Sequence, residues 1–130
     1  LARQYNLHAS QVSAVWPLIG NRFDEVFTSR DDACRDSKTT HLDEESLIGT
    51  NIPKTFVRWS IDCEWCTKFD DLLERRLMLI FHATIHRATL EDLATELVNA
   101  GRLEASGIDD EIERASQRLQ KFYGKSVVRD

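Results

Sequence analysis

The chain has little of what builds turns: five glycines and two prolines in 130 residues. A sandwich or barrel of many short strands needs denser punctuation, so the composition points to helices. Long apolar runs are missing too. The longest extends from Leu77 to Phe81, far short of the eighteen or so residues of a membrane span. Cysteine is sparse and odd in number, with three residues. That is not a disulfide framework and predicts a reducing, intracellular compartment, cytoplasmic or nuclear. Nothing after Leu1 resembles a basic, apolar signal sequence. Charge of one sign does not dominate either: 17 Lys and Arg stand against 22 Asp and Glu, a net of -5, and no segment is strongly basic. A protein that lives mainly on phosphate contacts shows a basic footprint, so this balance weighs against one. There is no Gly-rich phosphate loop, no G-x-S-x-G elbow and no H-E-x-x-H. The expectation is a protein that is not an enzyme.

What is present suits one folded domain. Hydrophobic residues make up 42%, an ordinary value for a globular chain of this length. Val12, Val15, Trp16, Ile19, Phe23, Val26 and Phe27 recur at spacings of three and four, which predicts helix. Pro17 removes a backbone donor and predicts a break near Trp16, hence two short helices. Residues 28–51 read as a long acidic loop whose far end Leu42, Leu47 and Ile48 pin to the core. Lys54 to Ile61, with Phe56, Val57 and Trp59, is strand-like in composition and predicts an extended segment laid across helices.

Asp62 is a candidate N-cap. The apolar residues Trp65, Phe69, Leu72, Leu73, Leu77, Ile80 and Phe81 predict a central helix over about 62–87. Thr89 and Asp92 resemble a capping box opening a further helix, which Gly101 stops. Ser106 is placed to cap the last helix, Gly124 to end it, and Ile108, Ile112, Ala115, Leu119 and Phe122 form its core face. The predicted fold is all-α: a single domain of four to five helices around that central helix, with the long acidic loop at about 28–51.

Three patterns carry candidate chemistry. Cys63, Cys66, His82 and His86 are spaced C-x2-C-x15-H-x3-H. Two thiolates and two imidazoles in two close pairs suit a tetrahedral zinc ion. The segments Cys63-Glu-Trp-Cys66 and His82-Ala-Thr-Ile-His86 resemble the two ends of a Cys2His2 zinc finger, and the resemblance implies zinc on those four residues. A continuous helix from Cys66 to His82 would separate the pairs by about 24 Å, so the helix reading and a single zinc exclude each other. The helix reading predicts no cofactor. A thioredoxin-like redox pair is the other reading of Cys63 and Cys66.

The second pattern is Leu-Ala-Arg-Gln-Tyr-Asn-Leu-His-Ala-Ser-Gln-Val-Ser-Ala-Val-Trp over residues 1–16. Ala2, Asn6, Leu7 and Val12 stand where the helix-turn-helix motif of repressors and transposases has a small crossing residue, a turn residue and two core anchors, and the segment resembles that motif. The resemblance implies that Ser10, Gln11, Ser13 and Ala14 face the major groove, with Gln11 pairing with adenine and Arg3 among the DNA-contacting residues. The third pattern is Arg114, Arg118, Lys121 and Lys125, a basic stripe on the last helix that could reach phosphates. Together these predict a non-catalytic, DNA-associated regulatory protein, acting as a dimer. The alternative is a helical protein–protein interaction module or assembly subunit that engages its partner through Trp16, Trp59, Trp65 and the acidic loop.

Overall fold

A computed structural model of the protein describes residues 7–28, 45–64, 66 and 68–129. The first helix, α1 (Ala9–Ile19), runs through Pro17 without interruption. The proline's missing N–H would have bonded the carbonyl of Ser13, an exposed residue where water can take its place. The break falls instead at Gly20, which sits at φ 51, a conformation glycine adopts without steric cost. A short 3-10 turn leads into α2 (Phe23–Thr28). The two short helices are therefore as expected, with the boundary displaced. Val15, Phe23, Val26 and Phe27 bury the apolar face.

Helix α3 (Lys54–Cys63) replaces the extended segment expected from composition. Phe56, Val57, Ser60 and Ile61 lie one helical turn apart in pairs, and all four are buried. Packing of that face overrides the strand propensity of Val57 and Trp59. Leading into α3, residues 45–53 form a tight turn: Leu47 N–H donates to the Ile52 carbonyl at 2.8 Å, and Lys54 N–H to the Glu45 carbonyl at 2.8 Å. Leu47 is buried as predicted, whereas Ile48 is exposed. Leu42 and most of the predicted acidic loop lie outside the described residues.

The expected central helix over 62–87 is not one helix. It is divided into the last turn of α3, a π-helical turn at Asp71–Arg76, a 3-10 turn at Leu79–Phe81 and the short strand β1 (Ile85–His86). Leu77 N–H bonds the Leu72 carbonyl five residues back at 2.9 Å, the wider π spacing. Met78 then turns left-handed at φ 49 and breaks the path. Helical spacing of the apolar residues was real, since Phe69, Leu72, Leu73, Leu77 and Leu79 are all buried. Short turns folded around a core satisfy that spacing as well as one rod does.

The most regular part of the molecule follows. Helix α4 (Arg87–Asn99) and helix α5 (Ile108–Tyr123) pack on each other through Leu90, Leu93, Ala94, Leu97, Ile112, Ala115 and Leu119. Gly101 (φ 73) and Gly124 (φ 63) lie just past their ends, as predicted. Ser106 does not cap α5; its N-cap is Gly107, without a side-chain bond. Strand β2 (Val127–Val128) returns to pair in parallel with β1, Ile85 opposite Val127. Among the described residues the molecule is mostly helical, with about five helices, and one hydrophobic cluster joins all five.

Candidate functional site

The sequence nominated cysteines, histidines and cations, and each has a definite place. Cys63 ends α3 and is exposed, while Cys66 is buried beside it. His82 follows the 3-10 turn in extended backbone, and His86 precedes the first residue of α4. No group of three or more His, Cys, Asp or Glu side chains able to hold a metal ion occurs among the described residues. The four predicted zinc ligands are not brought into one site; a π-helical turn, the left-handed Met78 and a 3-10 turn lie between the two pairs. Burial pushes the His82 imidazole below its ordinary range, and the Lys125 charge adds to that. Its backbone carbonyl accepts a 2.6 Å hydrogen bond from Lys125 Nζ.

The thiol of Cys66 is pushed up to about 11, by burial first and the Asp71 charge second. A nucleophilic redox cysteine needs the opposite shift. We expect iodoacetamide to modify Cys63 in the native protein at neutral pH and to reach Cys66 only after unfolding. Peptide mass spectrometry reads this directly; equal native labelling of both would show that the burial of Cys66 does not protect it.

The candidate DNA contacts divide. Ala2, Arg3 and Asn6 lie outside the described residues. Ser10 and Ser13 are exposed on α1. Gln11 is corrected: it is only 3% exposed, its Oε1 accepts the His8 N–H at 2.9 Å and its Nε2 donates to Ser46 Oγ at 2.9 Å. An amide spent on the helix start and on the 45–53 turn is not presented to a groove. The third position of α1 looks inward because Val15, one turn on, is fully buried and shares its face.

Most of the basic stripe on α5 is likewise turned to the protein itself. Arg114 pairs with Asp70 at 2.9 Å and with Glu111. Arg118 holds Glu74, one contact measuring 3.1 Å, and this guanidinium keeps the Glu74 carboxyl below the usual carboxylate range. Lys125 is committed to His82, and Lys121 lies 5.2 Å from the centre of the Phe122 ring. Arg114, Arg118 and Lys125 tie α5 and the residues after it to the 70–82 segment, through the Asp70 and Glu74 carboxylates and the His82 carbonyl. A helical wheel shows which residues share a face and says nothing of what stands opposite it.

That stitching creates the feature sequence reasoning missed. Between Glu74, gripped by Arg118 and Tyr123, and His82, gripped by Lys125, the chain buries Leu77 and Leu79 and turns Met78 and Phe81 outward. Phe81 is 75% exposed, and Phe122, at the end of α5, is 60% exposed rather than part of that helix's core face as expected. Tyr123, next to Phe122 and bonded to Glu74, is 40% exposed. Arg118 stands 5.0 Å from the Phe122 ring centre, so cations frame the aromatic. Of the tryptophans expected to meet a partner, Trp59 is instead a core residue at 8% exposure, Trp16 is exposed but leans on Phe23 at 5.8 Å, and Trp65 lies outside the described residues. A left-handed Met78 was the missing signal, and no glycine marks it.

No protein-family model matches this chain significantly, and no curated protein or solved structure does. No helix among the described residues is long and apolar enough to cross a membrane.

Proposed function

We propose that this protein is a non-catalytic helical interaction module, which docks a protein partner on the surface bearing Met78, Phe81, Phe122 and Tyr123. One observation carries the reading: two phenylalanines are largely exposed on segments that an ion pair and a hydrogen bond tie together. Leaving a phenylalanine in water forgoes about 1.5–3 kcal/mol of burial, and clustered exposed apolar residues rimmed by charge mark interaction surfaces. Framing cations supply the polar rim and suit a partner with acidic residues around an apolar centre. The groove-reading alternative has less to stand on, with Gln11 buried and Arg114, Arg118 and Lys125 engaged within the chain.

The test combines a photo-crosslinking residue at position 81 with the Phe81→Ser/Phe122→Ser double variant. A discrete protein adduct is expected from position 81 in cells, and the double variant should lose the complex while keeping the wild-type melting temperature, because neither ring is in the core. Absence of any adduct, together with a monomer at high concentration in the ultracentrifuge, would overturn the proposal.

A further inference from the structure

Where β2 returns beside α5 and the start of α4, there is a cavity of about 180 Å³. Three cations line it, Arg87, Lys125 and Arg129, against one carboxylate, Glu113. In a chain of net charge -5 this local excess runs against the whole. The short parallel ladder produces it. Ile85 stands opposite Val127 and His86 opposite Val128, so the next residue after each strand is an arginine, Arg87 on one side and Arg129 on the other. Like charges in neighbouring register repel unless something of opposite charge lies between them.

The three cations differ in what neutralises them. Arg87 holds Glu91 at 2.8 Å and Asp109 at 3.0 Å, neither of which lines the cavity. Lys125 is half-buried, and its Nζ donates to a neutral group, the His82 carbonyl, at 2.6 Å. That bond uses one of three donors and leaves the ammonium its full charge. The charge is felt nearby: it adds to the burial that pushes the His82 imidazole down. Arg129 is 78% exposed at the side chain, and Glu113, at 4.0 Å, lies beyond hydrogen-bond distance. Gln120, also in the lining, adds a neutral donor. Its Oε1 accepts the Ser126 hydroxyl at 2.9 Å, so the NH2 end is what the amide has left to give.

We propose that this cavity binds hydrogen phosphate. Lys125 and Arg129 supply the counter-charge, Gln120 donates a neutral hydrogen bond, and Arg87, fixed by its own acids, closes the cationic side. Glu113, which as a carboxylate only accepts, takes the hydrogen bond of the ion's remaining hydroxyl. Sulfate carries no hydroxyl at neutral pH, so the same carboxylate repels it. A volume of about six waters admits one phosphate ion and is too small for a nucleotide.

Sodium phosphate is the probe, against sodium sulfate and sodium chloride at matched ionic strength, followed by the amide chemical shifts of residues 120 and 125–129. Phosphate should move them saturably, with sulfate about tenfold weaker and chloride inert. Arg129→Gln should weaken phosphate about tenfold. Gln120→Glu keeps an acceptor for Ser126 but adds a second negative charge to the lining, and should abolish saturable binding. Both side chains are exposed, so both variants should keep the wild-type melting temperature. Glu113→Gln should erase the preference for phosphate over sulfate. Absence of a saturable phosphate shift, equal binding of sulfate by the wild type, shifts that chloride reproduces, or phosphate affinity unchanged in both Arg129→Gln and Gln120→Glu would each overturn the proposal.

Discussion

Replacing Gly49 with alanine is expected to destabilise the protein by about 2–3 kcal/mol, while the same change at Gly101 loses about 1 kcal/mol. Both glycines are left-handed, at φ 76 and φ 73, so both substitutions carry the steric cost of an L-residue there. Only Gly49 has a neighbour: a Cβ built on it meets Thr89 Oγ1 at 2.9 Å, whereas nothing lies within 4 Å of one on Gly101. That hydroxyl is not idle, since it donates to the Ile48 carbonyl at 2.7 Å. Relieving the clash means giving up the bond that docks the 45–53 turn on α4. Denaturant midpoints for the two variants measure the difference; equal losses would mean that Thr89 moves aside without cost.

Arg58→Ala should lose about 2–3 kcal/mol, and adding Glu96→Leu should recover most of it. The Glu96 side chain is 5% exposed and receives both Arg58 Nε at 2.9 Å and Arg58 Nη2 at 3.2 Å. Removing the arginine leaves a carboxylate in the α3–α4 interface without its cation. The loss stays below that of a fully enclosed pair because Arg58 is 50% exposed and water can follow it out. Replacing both partners removes the uncompensated charge and adds apolar packing, so the double variant separates desolvation from the loss of a contact. If the double variant were as unstable as Arg58→Ala, the pair would contribute net attraction rather than mutual neutralisation.

Legibility from sequence varied along the chain with the range of the forces involved. Helix α5 was readable because everything that makes it is local: Ile112, Ala115 and Leu119 at helical spacing, acidic residues at its start and a glycine at its end. Thr89 and Asp92 show how a local motif can mislead. They match a capping box by spacing, but α4 begins at Arg87. Their side chains instead clasp a distant residue, Thr89 donating to the Ile48 carbonyl at 2.7 Å and Asp92 accepting the Ile48 N–H at 2.9 Å. Lys54 completes this junction at 3.0 Å from Asp92 and 3.1 Å from Glu45. Apart from Glu45, those partners are separated by dozens of positions, and spacing within a helix carries no record of them.

The candidate site follows the same division. Cys63, Cys66, His82 and His86 were visible as a pattern, but a metal needs them within a few ångström, and the path between the pairs depends on a π turn and a left-handed methionine without a glycine to announce either. Amino-acid order by itself determined the helical class, the apolar faces and the glycine-terminated ends of α4 and α5, because backbone sterics and side-chain periodicity act over one or two turns. Tertiary structure decided where the 62–87 segment bends, which cations are neutralised and which aromatics remain in water. Each of those outcomes is a competition between distant groups for the same core and the same partners.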